Sequence, residues 1–424
     1  MRQYLFTIFF GWSLLVVLAG QSQTIALNAP PDKTVDYKRL ARIDTLVESY
    51  IAKGWSKGAV TLLVKDNQLV QYKGYGYSNA EEKKSMRKDD LFRLASQTKA
   101  IVSAGILTLY EEGRFTLDEP IADFIPAFKN PRVLDSFNSA DTTYTTVPAK
   151  KAITFRDLLT HTSGLDYPGI GSDRMKAIYA KADIPAGLGV IDKDLKETVE
   201  KLAQLPLVNQ PGEKWAYSLS VDVLGDLIEI ISGKNLEEFL SQRIFKPLGM
   251  KDTYFNVPAS KADRLTAVYT EDSLHHIIRW EKGYFGIDPA YPLASKHYFS
   301  GGAGLTSTAY DYAIFLQMLL NGGRYNDVQI LAPRTVQMMT SGQLSFLFNG
   351  FDNFGLGFQV TSAQSAARGP RNEGSFSWGG FWGTSYWADP KAHMVCLIMM
   401  TQQSPNSHGD LSAKFEQLVY QSLR

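Results

Sequence analysis

Phe92-Arg93-Leu94-Ala95-Ser96-Gln97-Thr98-Lys99-Ala100 sets a serine and a lysine three positions apart at the head of an apolar, helix-like run. Residues three apart on a helix share a face, so the Lys99 amine reaches the Ser96 hydroxyl. A serine hydroxyl is a weak nucleophile until a neighbouring base takes its proton, and an amine within reach is one such base. The string alone carries little, because Ser85-Met86-Arg87-Lys88 repeats it. Context separates the two. Ser85 lies in the charged run from Glu81 to Asp90, whereas Ser96 opens an amphipathic segment (Ile101, Val102, Ile106, Leu107, Leu109) closed by Gly113. A helix N-terminus offers free N–H groups and the positive end of the dipole, both favourable to a developing oxyanion. The plain alternative is a helix-capping serine.

The remainder of the chain sets the frame. Its 424 residues suffice for one large domain or two subdomains, and a net charge of +1 points to no nucleic-acid or polyanion partner. No phosphate-binding glycine loop, paired-cysteine zinc pattern or internal repeat is present, and the His275-His276 doublet lacks the spacing of a helical metal pair. Met1-Arg2, an apolar run from Tyr4 to Ala19, and the small and polar Gly20-Gln21-Ser22-Gln23 predict a secretory signal peptide over residues 1–23. An uncleaved membrane anchor is the alternative. Export to the periplasm or medium follows, with no stable membrane partner once the signal is removed. Residues 24–36 read as a linker. The single cysteine, Cys396, sits in an apolar strand-like run and has no intrachain partner.

Strand and helix signals fall in blocks. A helix over Tyr37–Ala52 precedes two strands, Ala59–Lys65 and Gln68–Lys73, joined as a hairpin through Asp66-Asn67. The middle is helical, at 155–160, 193–202, 221–231 and 236–245. Strands return at 355–361, 375–378, 384–388 and 394–401, and a helix closes the chain over 411–423. Strands at both ends around a helical middle predict a sheet subdomain from about 37–95 and 300–424, with a helical subdomain over about 96–299 and a ligand cleft between them.

Two further segments are candidates for that cleft. Gln210-Pro211-Gly212-Glu213-Lys214-Trp215-Ala216-Tyr217-Ser218-Leu219 runs straight into a helix, and a tyrosine beside a lysine can serve as a general base. The bland reading of Tyr217 is a half-buried aromatic next to Trp215. Ser377-Trp378-Gly379-Gly380-Phe381-Trp382-Gly383 places glycines in a strand, marking either a bulge or close approach of a ligand or backbone. Gly54-Trp55-Ser56-Lys57-Gly58 offers a rival nucleophile, but an esterase elbow needs a strand before it and a helix after it, and here the order is reversed.

With these motifs in place the chain resembles the serine β-lactamase-like hydrolases: class C β-lactamases, D-alanyl-D-alanine peptidases and family VIII carboxylesterases. The likeness spans about residues 38–420. It includes Leu158-Leu159-Thr160-His161-Thr162-Ser163-Gly164-Leu165, Pro247-Leu248-Gly249-Met250 and Ser300-Gly301-Gly302-Ala303-Gly304-Leu305-Thr306-Ser307, with Asp311-Tyr312-Ala313 and Gln317–Gly323. The resemblance implies an α/β, β-lactamase/transpeptidase-like fold: an antiparallel sheet flanked by terminal helices plus a mainly helical inserted region, all within 37–424. It implies Ser96 as the acylated nucleophile, Lys99 and Tyr217 as proton shuttles, and the backbone N–H groups of Ser96 and Phe381 as the oxyanion hole. Trp378, Gly379, Gly380 and Leu219 fall at substrate-binding positions.

Two departures narrow the class. Leu219 replaces the asparagine of Tyr-x-Asn, and Trp378 stands where β-lactamases carry a lysine or histidine before the glycine. Both remove polar recognition and leave one indole N–H. The pattern is similar to the family VIII esterases and related acyltransferases. The expected activity is a serine hydrolase acting through an acyl-enzyme on small uncharged esters, with no metal or organic cofactor. A β-lactamase, D-amino-acid peptidase or acyltransferase is the alternative, and the oligomeric state stays open.

Overall fold

The computed structural model describes residues 24–403 and 405–424. The signal peptide read over residues 1–23 lies outside the described residues.

The sheet grows from the hairpin and from the far end of the chain. Strand β1 (Gly58–Lys65) turns into β2 (Gln68–Asn79) through Asp66 and Asn67, whose φ angles of 49° and 61° are the left-handed pair a two-residue hairpin turn requires. A short β3 (Lys84–Ser85) follows at the edge. The C-terminal strands are β4 (Asn353–Phe354), β5 (Gln359–Val360), β6 (Phe376–Gly379), β7 (Ser385–Asp389) and β8 (Met394–Met400). Together they form one eight-stranded sheet in the order β4-β5-β6-β7-β8-β1-β2-β3, and its ladders are antiparallel. Ala59 pairs with Met400 and Lys65 with Met394, which joins the first strand to the last.

Helices cover both faces. They include α1 (Arg42–Ala52), α2 (Thr98–Glu111), α3 (Ser220–Ser232), α4 (Ala309–Leu320) and α5 (Leu411–Gln421). The alternation along the central strands sorts the side chains. Ala59, Leu63, Cys396 and Ile398 pack beneath Ile43 and Val47 of α1 and Phe415 and Val419 of α5. Val60, Leu62, Val64, Val395, Leu397 and Met399 enter the main core with α2, α3 and α4. With both faces covered, β8 reads as an unbroken apolar run and β1 as one interrupted only by Thr61 before it ends at Lys65.

Several expectations change. The helix after Ser96 is not amphipathic: every residue from Thr98 to Leu109 is buried, because α2 runs through the middle of the molecule. Gly105 allows that position, since a Cβ there would come within 2.7 Å of Leu240 Cδ2. The strand read over 355–361 pairs only at Gln359 and Val360. The Leu356 and Gly357 N–H groups donate instead to Met339 O and Leu159 O, both at 3.0 Å, tying this segment to the helical side. The helix read as Tyr37–Ala52 is interrupted at Ala41. Residues 24–36 are docked and not a free linker. Ala26 N–H donates to Asn67 O at 2.8 Å, Asp36 N–H to Ser422 O at 2.7 Å, and Ile25 and Val35 are buried.

Candidate active site

Ser96 is presented by a strained turn. Ala95 has φ +46°, a left-handed conformation that costs a residue bearing a Cβ roughly 1–3 kcal/mol. Ser96 follows in a single 3-10 turn (Ala95–Gln97) that runs into α2. The strain is held from outside. Leu94 N–H donates to Leu305 O at 2.9 Å, Leu305 N–H to Thr98 Oγ1 at 3.1 Å, and Tyr312 Oη to Gln97 O at 2.8 Å.

Lys99, one turn on, is buried and faces the serine. Its Nζ donates to Gly302 O at 2.8 Å and makes a longer contact to Ser96 Oγ at 3.4 Å. It also lies 4.6 Å from the centroid of the Tyr217 ring and 5.3 Å from that of Tyr167, on whose π-faces a cation is favoured. The three residues singled out from sequence therefore meet.

Tyr217 is fixed through the Leu158–Leu165 motif. Ala216 N–H donates to His161 O at 2.9 Å and Gly212 N–H to Thr162 O at 2.7 Å, so the loop before α3 lies against that segment. Its ring stacks on Tyr167 with centroids 5.4 Å apart. The His161 ring sits 4.9 Å from it and bonds Ser218 Oγ through Nδ1 at 3.0 Å. Burial, reinforced by the charge of Lys99, holds His161 well below the usual imidazole range, so it is neutral. His161 therefore adds no second cation beside Tyr217.

The last segment closes the site from the sheet. Trp378 Nε1 donates to Tyr217 Oη at 3.3 Å, so the lone indole N–H is directed at the tyrosine oxygen. Gly380 marks close approach of another backbone: a Cβ there would lie 2.2 Å from Leu94 O, in the turn carrying Ser96. Phe381 and Ser96 border the same cavity. Leu219 corrects an expectation, for it is buried in the main core and lines neither cavity at Ser96. It stands at the start of α3, where its N–H donates to Asp166 O at 3.3 Å, and packing draws its side chain away from the cleft. Trp382 and Tyr386, near Trp378 in sequence, are likewise core residues.

Ser96 and Tyr217 border two cavities of different character. One, about 540 Å³, has Tyr167, Ile170, Leu188, Val190, Ile287 and Phe381 in its walls. The other, about 680 Å³, runs over the end of β6 and β7 toward α5. The two remaining cations at these cavities have carboxylate partners: Arg371 bonds Glu416 at 2.7 Å, and Lys193 is paired with Asp183.

Sequence reasoning missed Asp222. It is buried on α3, accepts from Ser300 Oγ at 2.6 Å through Oδ1, and sets Oδ2 against the backbone of Gly302. Burial raises its pKa, with the Ser300 hydrogen bond and the charge of Lys99 opposing. The string Ser300-Gly301-Gly302 was the available signal: a Cβ at Gly302 would fall 2.4 Å from Asp222 Oδ2 and 3.4 Å from Lys99 Nζ. The rival serines stay apart from this chemistry. Ser56 is buried between α1 and β1, and Ser85 is exposed on β3.

Comparison with known proteins gives the family. The family described as Beta-lactamase matches residues 43–421. Protein Rv1367c of Mycobacterium tuberculosis is 34% identical over 376 residues, covering 85% of this chain and 89% of that protein. Esterase EstB of Burkholderia gladioli is 29% identical over 395 residues, covering 90% and 95%. Among solved structures, EstCE1, a hydrolase with promiscuous acyltransferase activity, superposes with a TM-score of 0.77 at 26% identity, covering 90% of this chain and 99% of that one.

Proposed function

The chain belongs to the beta-lactamase family and is a serine hydrolase, and from that premise we propose that it cleaves small uncharged carboxylic esters through an acyl-enzyme on Ser96. Ser96 Oγ attacks the ester carbonyl while Lys99 and Tyr217 take its proton and return it to the departing alkoxide. The N–H groups of Ser96 and Phe381 hold the oxyanion. Water, or a second alcohol, then releases the acyl group. The similarity to Esterase EstB and to EstCE1 supports this reading. The leader-like sequence pattern of residues 1–23 supports an exported enzyme, periplasmic or secreted.

The observation that carries the ester preference is the pairing of the cations. A substrate carboxylate entering here meets Arg371 and Lys193 already bound to Glu416 and Asp183, and an indole N–H directed at Tyr217. It would lose its water without an equivalent partner, which is unfavourable. Steady-state kcat/KM for p-nitrophenyl butyrate is expected to exceed that for nitrocefin by at least about 100-fold, the effect of roughly 3 kcal/mol of uncompensated desolvation. Faster turnover of nitrocefin would overturn the ester assignment.

A further inference from the structure

We propose that the smaller cavity holds the acyl chain and the larger one the alcohol half of the ester, and that this alcohol is a neutral polyhydroxylated group, a glycoside or polyol. The inference rests on the ester reading and adds the class of its leaving group.

Tyr217 decides which half goes where. Its Oη accepts from Trp378 Nε1, and Trp378 borders the larger cavity and not the smaller. An alkoxide that takes its proton from Tyr217 therefore leaves beside Trp378, into the larger cavity. The carbonyl carbon stays on Ser96, with its oxygen toward Phe381, which borders the smaller cavity and not the larger. The acyl chain then lies among Ile170, Leu188, Val190 and Ile287. In the first step the Ser96 Oγ–C bond forms and the C–O bond to the alcohol breaks, and the Ser96 proton passes through Lys99 and Tyr217 to the alkoxide. In the second, water adds to the acyl carbon and leaves a free acid and a restored Ser96.

The lining of the larger cavity defines the alcohol. Thr361, Ser365, Ser377 and Ser412 bring hydroxyls to it, and Asp352 brings a carboxylate. An alkyl alcohol would strip water from these groups and offer nothing in exchange, whereas a polyol can donate to and accept from them. Arg371 is tied to Glu416, and Asp352, which accepts from Gln359 Nε2 at 2.6 Å and from the Ser362 N–H at 3.2 Å, has no ion-pair partner among the described residues, so the lining carries a net negative charge that disfavours an anionic alcohol.

The test uses two butyrate esters, methyl 6-O-butyryl-glucoside and hexyl butyrate, each corrected for its rate of alkaline hydrolysis. Full-length wild type and the double variant Ser365→Leu/Ser412→Leu are compared on both esters. Wild type is expected to favour the glucoside at least tenfold in kcat/KM. The variant is expected to lose about threefold to tenfold per hydroxyl on the glucoside through KM while its kcat/KM for hexyl butyrate rises, with the circular dichroism spectrum unchanged. Preference for hexyl butyrate, or an unchanged preference in the variant, overturns the proposal while the ester reading stands. No turnover of any ester overturns both.

Discussion

Ser85-Met86-Arg87-Lys88 and Ser96-Gln97-Thr98-Lys99 follow the same pattern in one chain, and the fold treats them differently. Ser85 lies exposed on an edge strand, and Lys88 rests over the Tyr72 ring, 5.3 Å from its centroid. Ser96 begins a helix buried along its first three turns, and Lys99 is held among Ser96, Gly302 O and two tyrosine rings. The spacing creates a pair only where a helix turns both residues to one face. Burial then concentrates electrostatic effects that solvent screens at the surface. The same four-residue pattern is chemistry in one place and surface in the other.

The largest effect comes from exchanging the serines themselves. Ser96→Ala is expected to lower p-nitrophenyl butyrate kcat/KM by more than about 10⁴-fold, as loss of a serine nucleophile does. Ser85→Ala and Ser56→Ala should stay within about twofold of wild type, since exposed or remote changes rarely reach a site. If Ser85→Ala were inactive while retaining its circular dichroism spectrum and Ser96→Ala remained active, the two strings would have been ranked wrongly.

Next come the groups that only the buried string possesses. Lys99→Ala and Tyr217→Phe should each reduce kcat by about 10²–10⁴-fold, the range of general acid–base catalysis. Their losses should not add, because both act on one proton transfer. Multiplicative losses in the double variant would mean that the two residues act independently and that the contact between Lys99 and the Tyr217 ring is only packing.

Burial also has a thermodynamic side, and the helix that begins beyond Tyr217 exposes it to measurement. Asp226 on α3 is buried with an unpartnered Oδ2, and burial followed by the charge of Glu229 pushes its pKa up to about 7. Unfolded, the same group titrates near 3.8. Between about pH 4 and 7 the native state thus keeps a proton the unfolded chain has released, so stability falls as pH rises through that window. Asp226→Asn should therefore stabilise the protein at pH 8 relative to pH 5, by on the order of 2–3 kcal/mol. Urea titrations of both proteins at the two pH values give the difference directly. A mutant-minus-wild-type difference that does not change with pH would show that Asp226 is ionised in the folded protein throughout.

How much could be read from the chain follows the same division between local and distant causes. The hairpin at Asp66-Asn67, the central strands, the closing helix and the Ser96–Lys99 pair depend on neighbours in sequence, and each was legible. So was the convergence of Tyr217 and Trp378 on Ser96, through motif resemblance. What depended on distant partners was not. Leu219 stands two residues from Tyr217, yet packing turns it into the core. Leu356 and Gly357 carry a strand-like pattern, but their N–H groups find carbonyls on the helical side. The walls formed by Ile170, Leu188 and Val190 come from a segment with little periodicity, whose placement local propensity does not specify.

The smallest effect tests the turn that separates Ser96 from its counterpart most finely. Ala95 is left-handed at φ +46°, and its conformation is fixed by the hydrogen bonds of Leu94, Gln97 and Thr98 to distant partners. Ala95→Gly removes the steric penalty of a Cβ in that region, worth about 1–2 kcal/mol. It also gives the unfolded chain more freedom, which costs roughly 0.5–1 kcal/mol. Loss of a methyl buried in the cluster with Val268, Trp280 and Trp382 opposes the gain as well, so the terms nearly cancel and stability should change by no more than about 1 kcal/mol. Activity should respond differently, because the turn that aims Ser96 Oγ loses part of its own rigidity and relies on the surrounding bonds alone. A kcat reduced about threefold to tenfold with an unchanged urea midpoint is the expected pattern, since small misplacements of a reacting group cost rate before they cost stability. A loss of stability above about 1 kcal/mol would mean that packing of the alanine methyl outweighs the strain, and the backbone would then no longer distinguish the two serines.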